Sequence, residues 1–261
     1  MSKSLLDEPD PIPDGPDYAE LALASLEGLE LVTDDGEPME STWHRKCMTL
    51  LIEQVEYHFR DRDDFYVGGN AFIYYSPAQA RNRDFRGPDF FYVSHTTRQP
   101  PRPCWVVWEE NLRRPDVVIE LTSPTTREED YGAKFRIYRD TLEVRNYFIY
   151  DPDARLLEGW RLDRRRYVPI QPDENGRLLS DELGLLLGLW EGEYLRDNMT
   201  WLRFFEPAGT PVAIPAEAER HRAEAERQRA EAEKQRADAA EAELVRLKEQ
   251  LARLQAGEKP S

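Results

Sequence analysis

Apolar positions along this chain follow two periods. From Trp43 to Phe59 they recur at three- and four-residue spacing, with Cys47, Leu50, Leu51, Val55 and Phe59 on one side, which predicts an amphipathic helix. A charged turn at Asp61–Asp64 follows, and Asp64–Ser76 then reads as strand, Gly-Gly turn, strand. Another strand starts at Pro88-Asp89, and after a Pro-rich loop at 94–104 comes a further apolar segment, Cys104–Glu110. The most apolar strand is Val117–Leu121, a β-branched run of the kind found in a sheet covered on both faces. Ser123-Pro124 ends it. Thr126, with Glu129 three residues on, reads as a capping box opening a helix over 127–140. Val144–Pro152 is then a strand reached through a helical crossover, so it should lie parallel to the central one. Leu156–Ile170 predicts a hairpin with Arg164, Arg165 and Arg166 in its turn, and Gly188–Phe205 predicts further strands that close the domain.

The two ends have different compositions. Residues 1–40 form an acidic, Pro-rich leader expected to be largely disordered, with at most a short helix after residue 18. Residues 206–215 read as a linker. Across 216–256 a seven-residue repeat appears (EAERHRA, EAERQRA, EAEKQRA), and it ends in Leu244, Leu247, Leu251 and Leu254. This pattern predicts a charged helix or coiled coil that joins copies of the chain or docks a partner protein. The domain proper is expected at 41–205.

With 261 residues and 40% hydrophobic content, the chain can bury a substantial core. No apolar run is long enough for a membrane helix, and the start lacks the basic-then-apolar pattern of a secretory signal. Two cysteines, Cys47 and Cys104, make neither a disulfide framework nor a zinc site, which points to a reducing, cytoplasmic setting. The formal net charge of −16 taken whole argues against a nucleic-acid partner, but 12 acids against one base fall in residues 1–40. Residues 41–110 balance at nine and nine, and 111–205 hold 18 acids and 15 bases. Beyond a Debye length of about 8–10 Å an acidic leader is largely screened, so DNA is not excluded.

Candidate chemistry centres on the apolar strand. Glu120 sits inside it and Asp116 opens it, and with Val118 they share one face. A carboxylate in such a strand costs several kcal/mol unless its charge is compensated, for instance by a metal ion. Lys134 falls one helical turn after Asp130 and one before Tyr138. The first helix brings Glu53 and Glu56, and Arg81, Arg83 and Arg86 form a basic approach to Asp89 that suits a phosphate backbone. Each feature also has a plainer reading. Asp89 and Glu120 could be structural acids facing arginines, Lys134 could pair with Asp130, Asp116 could simply open a strand, Glu53 and Glu56 could be solvated, and the arginines could belong to an ordinary polar loop.

The segments GPDFFYV, PDVVIELTSPTTREEDYGAKFRIY and NYFIYDP, in that order, make the chain resemble the Uma-two family of restriction-endonuclease-like proteins, within the PD-(D/E)XK nuclease superfamily. The resemblance covers about residues 40–205. It implies an α/β fold, a restriction-endonuclease-like core with a mixed central sheet flanked by helices, in the order helix, three strands, helix, fourth strand. It also implies Asp89 and Glu120 as metal ligands for Mg²⁺, with Mn²⁺ able to substitute, and Asp89, Glu120 and Lys134 as catalytic residues. An acid on the first helix, here Glu53 or Glu56, often joins the site in that superfamily, and Asp116 is a reserve ligand. Thr122 stands two residues after Glu120, where the superfamily has lysine, so that role would pass to Lys134. The implied activity is metal-dependent cleavage of phosphodiester bonds in DNA. The alternative is a catalytically inactive nuclease fold that binds nucleic acid or protein and oligomerises through its C-terminal helix.

Overall fold

A computed structural model describes residues 41–82, 87–98 and 100–255. The expected acidic leader, Arg83 and Arg86 lie outside the described residues. The chain divides into two units, one up to Val212 and one from Ala213.

In the first unit, helix α1 (Thr42–His58) is capped by Ser41, whose hydroxyl accepts the His44 N–H at 3.1 Å. Its buried stripe is Cys47, Leu50, Leu51, Gln54 and Val55. Strands β1 (Phe65–Gly68) and β2 (Ile73–Tyr74) follow as read from the sequence, but they join different sheets and do not pair with each other. A short helix α2 (Pro77–Arg81) leads to β3 (Phe90–Ser94), β4 (Trp105–Val106) and the central β5 (Val117–Leu121). The expected helix at 127–140 is broken into α3 (Arg127–Tyr131), α4 (Ala133–Arg136) and a π-helical turn at Ile137–Thr141. Beyond it lie β6 (Asn146–Asp151), β7 (Leu156–Asp163), β8 (Arg166–Pro169), β9 (Leu178–Ser180), β10 (Leu185–Tyr194) and β11 (Asp197–Phe205).

Six strands form the main sheet in the order β1-β3-β5-β6-β7-β8. β3 and β5 are antiparallel, with Phe90 opposite Ile119, whereas β5 and β6 are parallel, with Val117 beside Asn146 and Leu121 beside Tyr150. The mixed sheet and the sequence helix, strands β1, β3 and β5, crossover, β6 give the restriction-endonuclease-like α/β core. β9–β11 form a three-stranded sheet, and β2 and β4 a parallel pair. The β7–β8 and β10–β11 turns, at Arg164-Arg165 and Leu195-Arg196, each have two successive residues with positive φ, the geometry that matches strand twist.

The core lies on both sides of the main sheet. On one side Phe91, Val93, Val118, Tyr147 and Ile149 pack with Tyr138, Leu142 and Val144 of the crossover. On the other, α1 packs against β1, β3 and β11. Its buried Gln54 accepts the Phe204 N–H at 2.9 Å and donates to the Phe204 and Val212 carbonyls, so burial leaves its amide satisfied.

The capping box does not form. Thr126 adopts helical rather than extended dihedrals, and its hydroxyl accepts the Ser123 N–H at 3.1 Å instead of a helix N–H. Gly132 separates α3 from α4, and a Cβ there would lie 2.5 Å from the Glu128 carbonyl oxygen.

The second unit consists of α5 (Pro215–Gln255), one uninterrupted helix. No described helix is long and apolar enough to cross a membrane.

Candidate active site

Antiparallel pairing places Phe90 opposite Ile119, so one step further out Asp89 faces Glu120 across the strand pair, on the same face of the sheet. The backbone at Asp89 is held from two sides. Asn70 N–H donates to the Pro88 carbonyl at 2.9 Å, and Gly69 lies so close that a Cβ would sit 2.3 Å from the Asp89 carbonyl oxygen. Side-chain contacts then fix the carboxylate. Asp89 Oδ2 accepts the Leu121 N–H at 2.7 Å, and Oδ1 lies 2.6 Å from His44 Nε2 in the first turn of α1.

Glu120 is 2% exposed. Its Oε1 accepts the Tyr138 hydroxyl at 2.8 Å, and its Oε2 lies 3.1 Å from Lys134 Nζ. Lys134 Nζ also lies 2.8 Å from Oδ1 of Asp130, itself buried. The crossover therefore presents Asp130, Lys134 and Tyr138, successive at four residues, to the strand acid. The pairing of Lys134 with Asp130 and its approach to Glu120 are present together.

Two carboxylates, Glu120 and Asp130, thus contact one ammonium group in a space largely closed to water, and Asp89 acts on it at longer range. Burial pushes the Glu120 carboxyl well above its ordinary value; Lys134 pulls it back, while Asp89 and Asp130 push it further up. For Lys134, burial would lower the pKa, but Glu120, Asp130 and Asp89 together raise it above the ordinary lysine value. The ammonium stays charged, and Glu120 is the acid that gains a proton when no further cation is near.

This donor set fits a hard divalent cation. Magnesium needs only one or two carboxylates, with waters and substrate oxygens completing its shell, and each carboxylate oxygen here keeps a lone pair beyond its protein hydrogen bond. A second positive charge is also what the cluster lacks. Among the described residues no three His, Cys, Asp or Glu side chains are grouped to hold a metal on their own, so Asp89 and Glu120 would act as a pair.

The other sequence candidates lie elsewhere. Asp116 Oδ2 accepts both the N–H and the hydroxyl of Ser94 at 2.7 Å, at the far end of β5. Glu53 accepts the Tyr194 hydroxyl at 3.1 Å, and Glu56 pairs with Arg98. Arg81 closes α2, exposed to solvent. Thr122 is buried, its N–H donating to the Tyr150 carbonyl at 2.9 Å.

Sequence reasoning assigned no role to two neighbours of the acids, His44 and Tyr138. His44 stands three residues before Cys47, on the buried stripe of α1, and a polar residue on that stripe was the available signal. Tyr138 shares the spacing of Asp130 and Lys134. A separate cleft of about 440 Å³ is lined by Trp43, Tyr150, Pro152, Asp153, Arg155 and Met199 among others, and by none of the three acids or Lys134. Tyr150, the cross-strand neighbour of Leu121, is buried on the sheet face opposite Glu120 and packs against Trp43.

Comparison with known proteins gives one family match. The Uma2 family model, described as "Putative restriction endonuclease", matches residues 16–199. No curated protein matches the chain. Among solved structures, a putative nuclease belonging to DUF820 from Anabaena variabilis ATCC 29413 is similar at a TM-score of 0.41 and 11% identity, over 58% of this chain and 81% of that one.

Proposed function

The chain belongs to the Uma2 family of putative restriction endonucleases, and from that premise we propose that it is a magnesium-dependent endonuclease acting on DNA. The observation that carries the reading is the meeting of Asp89, Glu120 and Lys134 at one end of the central strands, with two facing carboxylates and an ammonium within 3.1 Å of one of them.

Asp89 and Glu120 would hold the cation, Mg²⁺ or Mn²⁺, and the carbonyl near Leu121 could add a ligand. A divalent cation bound there supplies Lewis-acid polarisation and neutralises charge on the phosphoryl oxygens. Lys134, kept protonated by its three acidic neighbours, serves as a donor and not as a base. It orients the attacking water and stabilises the negative charge that builds on phosphate. His44 is a positioning residue that fixes the Asp89 carboxylate. The free, buried thiols of Cys47 and Cys104 agree with a cytoplasmic setting. The C-terminal helix fits self-association or a partner protein.

The decisive experiment is cleavage of supercoiled plasmid with Mg²⁺, for the protein as it stands and for Glu120→Ala. Cleavage that stops with the substitution and with chelator supports the reading, and unchanged cleavage by Glu120→Ala removes this site from the reaction. One observation favours a second reading, a catalytically silent fold that binds nucleic acid or protein: both Asp89 oxygens already accept protein hydrogen bonds. Calorimetric titration with Mg²⁺ or Mn²⁺ separates the two, because only the nuclease binds the ion and loses it in Asp89→Ala.

A further inference from the structure

Helix α5 is one continuous element, and every described side chain in 219–254 is exposed in the single chain. Leu244, Leu247, Leu251 and Leu254 stand between 51% and 66% exposed at alternating three- and four-residue spacing. These are a and d positions of a heptad, and the same register runs back through Ala240 and Ala237. Further back it places Ala230 and Ala223 at a, but Glu233 and Glu226 at d.

The charges beside this seam select a partner and a direction. In two parallel helices in register, each g residue faces the e residue of the next heptad on the other helix. Here Arg236 would face Glu241 of the second copy, and Glu243 would face its Lys248; both pairs attract and each occurs twice. Over the preceding heptads, Arg222 would face Arg227 and Arg229 would face Lys234, and both pairs repel. An antiparallel alignment of the same leucines, Leu244 against Leu254 and Leu247 against Leu251, brings the two Lys248 side chains together at its centre. The alanines at 237 and 240 leave a narrow seam that two helices fill closely and three would leave hollow.

We infer that residues 236–255 form a parallel, in-register, two-stranded coiled coil with a second copy of this chain, and that 219–235 remains an unpaired helical spacer. In that spacer, Glu and Arg or Lys three and four residues apart, such as Glu224 with Arg227 and Arg227 with Glu231, support a solvated helix. Glutamates at d and like charges at e and g oppose pairing there. Pairing of this kind raises the effective concentration of one copy's first unit beside the other's, as cutting both strands of a duplex would require. The pairing does not depend on the nuclease reading, and its test does not use activity.

Sedimentation equilibrium of the full chain over a wide concentration range should give a reversible dimer, and Leu247→Glu with Leu251→Glu should give a monomer. Lys248→Glu alone should weaken the dimer about tenfold, because it turns two attractive pairs repulsive. Glu243→Lys added to Lys248→Glu should restore it. A monomer or a trimer for the unaltered chain overturns the inference. So does an unchanged dissociation constant in Lys248→Glu, the result of an antiparallel pair in which one like-charged contact replaces another.

Discussion

Asp116 and Glu120 stand four residues apart at the two ends of β5, on the same face, yet their surroundings give them different work. Asp116 is satisfied by neutral donors, the Ser94 N–H and hydroxyl at 2.7 Å, with the exposed Arg145 at 3.7 Å. It ties the edge of β3 to β5 and leaves little charge to be answered. Glu120 has one hydroxyl and a share of one ammonium, and two further carboxylates stand nearby. The first end is electrically finished. The second is short of positive charge, and that shortage, more than the presence of an acid, marks it as the place for a cation.

The strongest way to break this comparison is to treat both ends alike. Glu120→Ala should reduce plasmid cleavage by at least about a hundredfold, the cost of losing a main electrostatic contributor. Asp116→Ala should leave cleavage nearly intact and destabilise the fold by about 1–3 kcal/mol in urea unfolding, since it strands the Ser94 donors. Equal losses of cleavage at the two positions would erase the distinction.

Lys134 sharpens it further. Lys134→Met removes the one ammonium from a buried cluster and should cost about 3–5 kcal/mol of metal-free stability. It should also lower cleavage at saturating Mg²⁺ while calorimetric affinity for the ion is kept or improved, because a competing positive charge is gone. Asp89→Ala should lose the affinity itself. If Lys134→Met also lost affinity, the lysine would be organising the ligands and not the water.

How much of this could be read beforehand follows from which forces are local. Strand alternation and the helical crossover put Glu120 on a buried strand parallel to β6, and the ordered segments singled out Asp89 as its partner. Spacing alone put Lys134 in line with Asp130 and Tyr138. What escaped was tertiary. Glu53 and Glu56 lie off the buried stripe of α1 and find Tyr194 and Arg98, whereas His44 lies on it and meets Asp89. The break at Gly132 escaped as well, because apolar periodicity carries through a glycine whose role is a close approach to the Glu128 carbonyl.

The smallest effect tests the shortage of charge most directly. In the fold, burial raises the Glu120 carboxyl above its ordinary value of 4.5, so from that pH upward the native protein holds a proton that the unfolded chain has released. When the folded state binds more protons, stability falls as pH rises through that window. Metal-free protein should therefore melt at progressively lower temperature as pH climbs above 4.5 until Glu120 has ionised. Glu120→Gln, which cannot release that proton, should flatten the slope. Excess Mg²⁺ should flatten it too if the cation supplies the charge the proton otherwise brings. Differential scanning calorimetry at a series of pH values reads all three cases. A slope that survives in Glu120→Gln would mean that the titrating group is elsewhere and that the two ends of β5 are more alike than their contacts suggest.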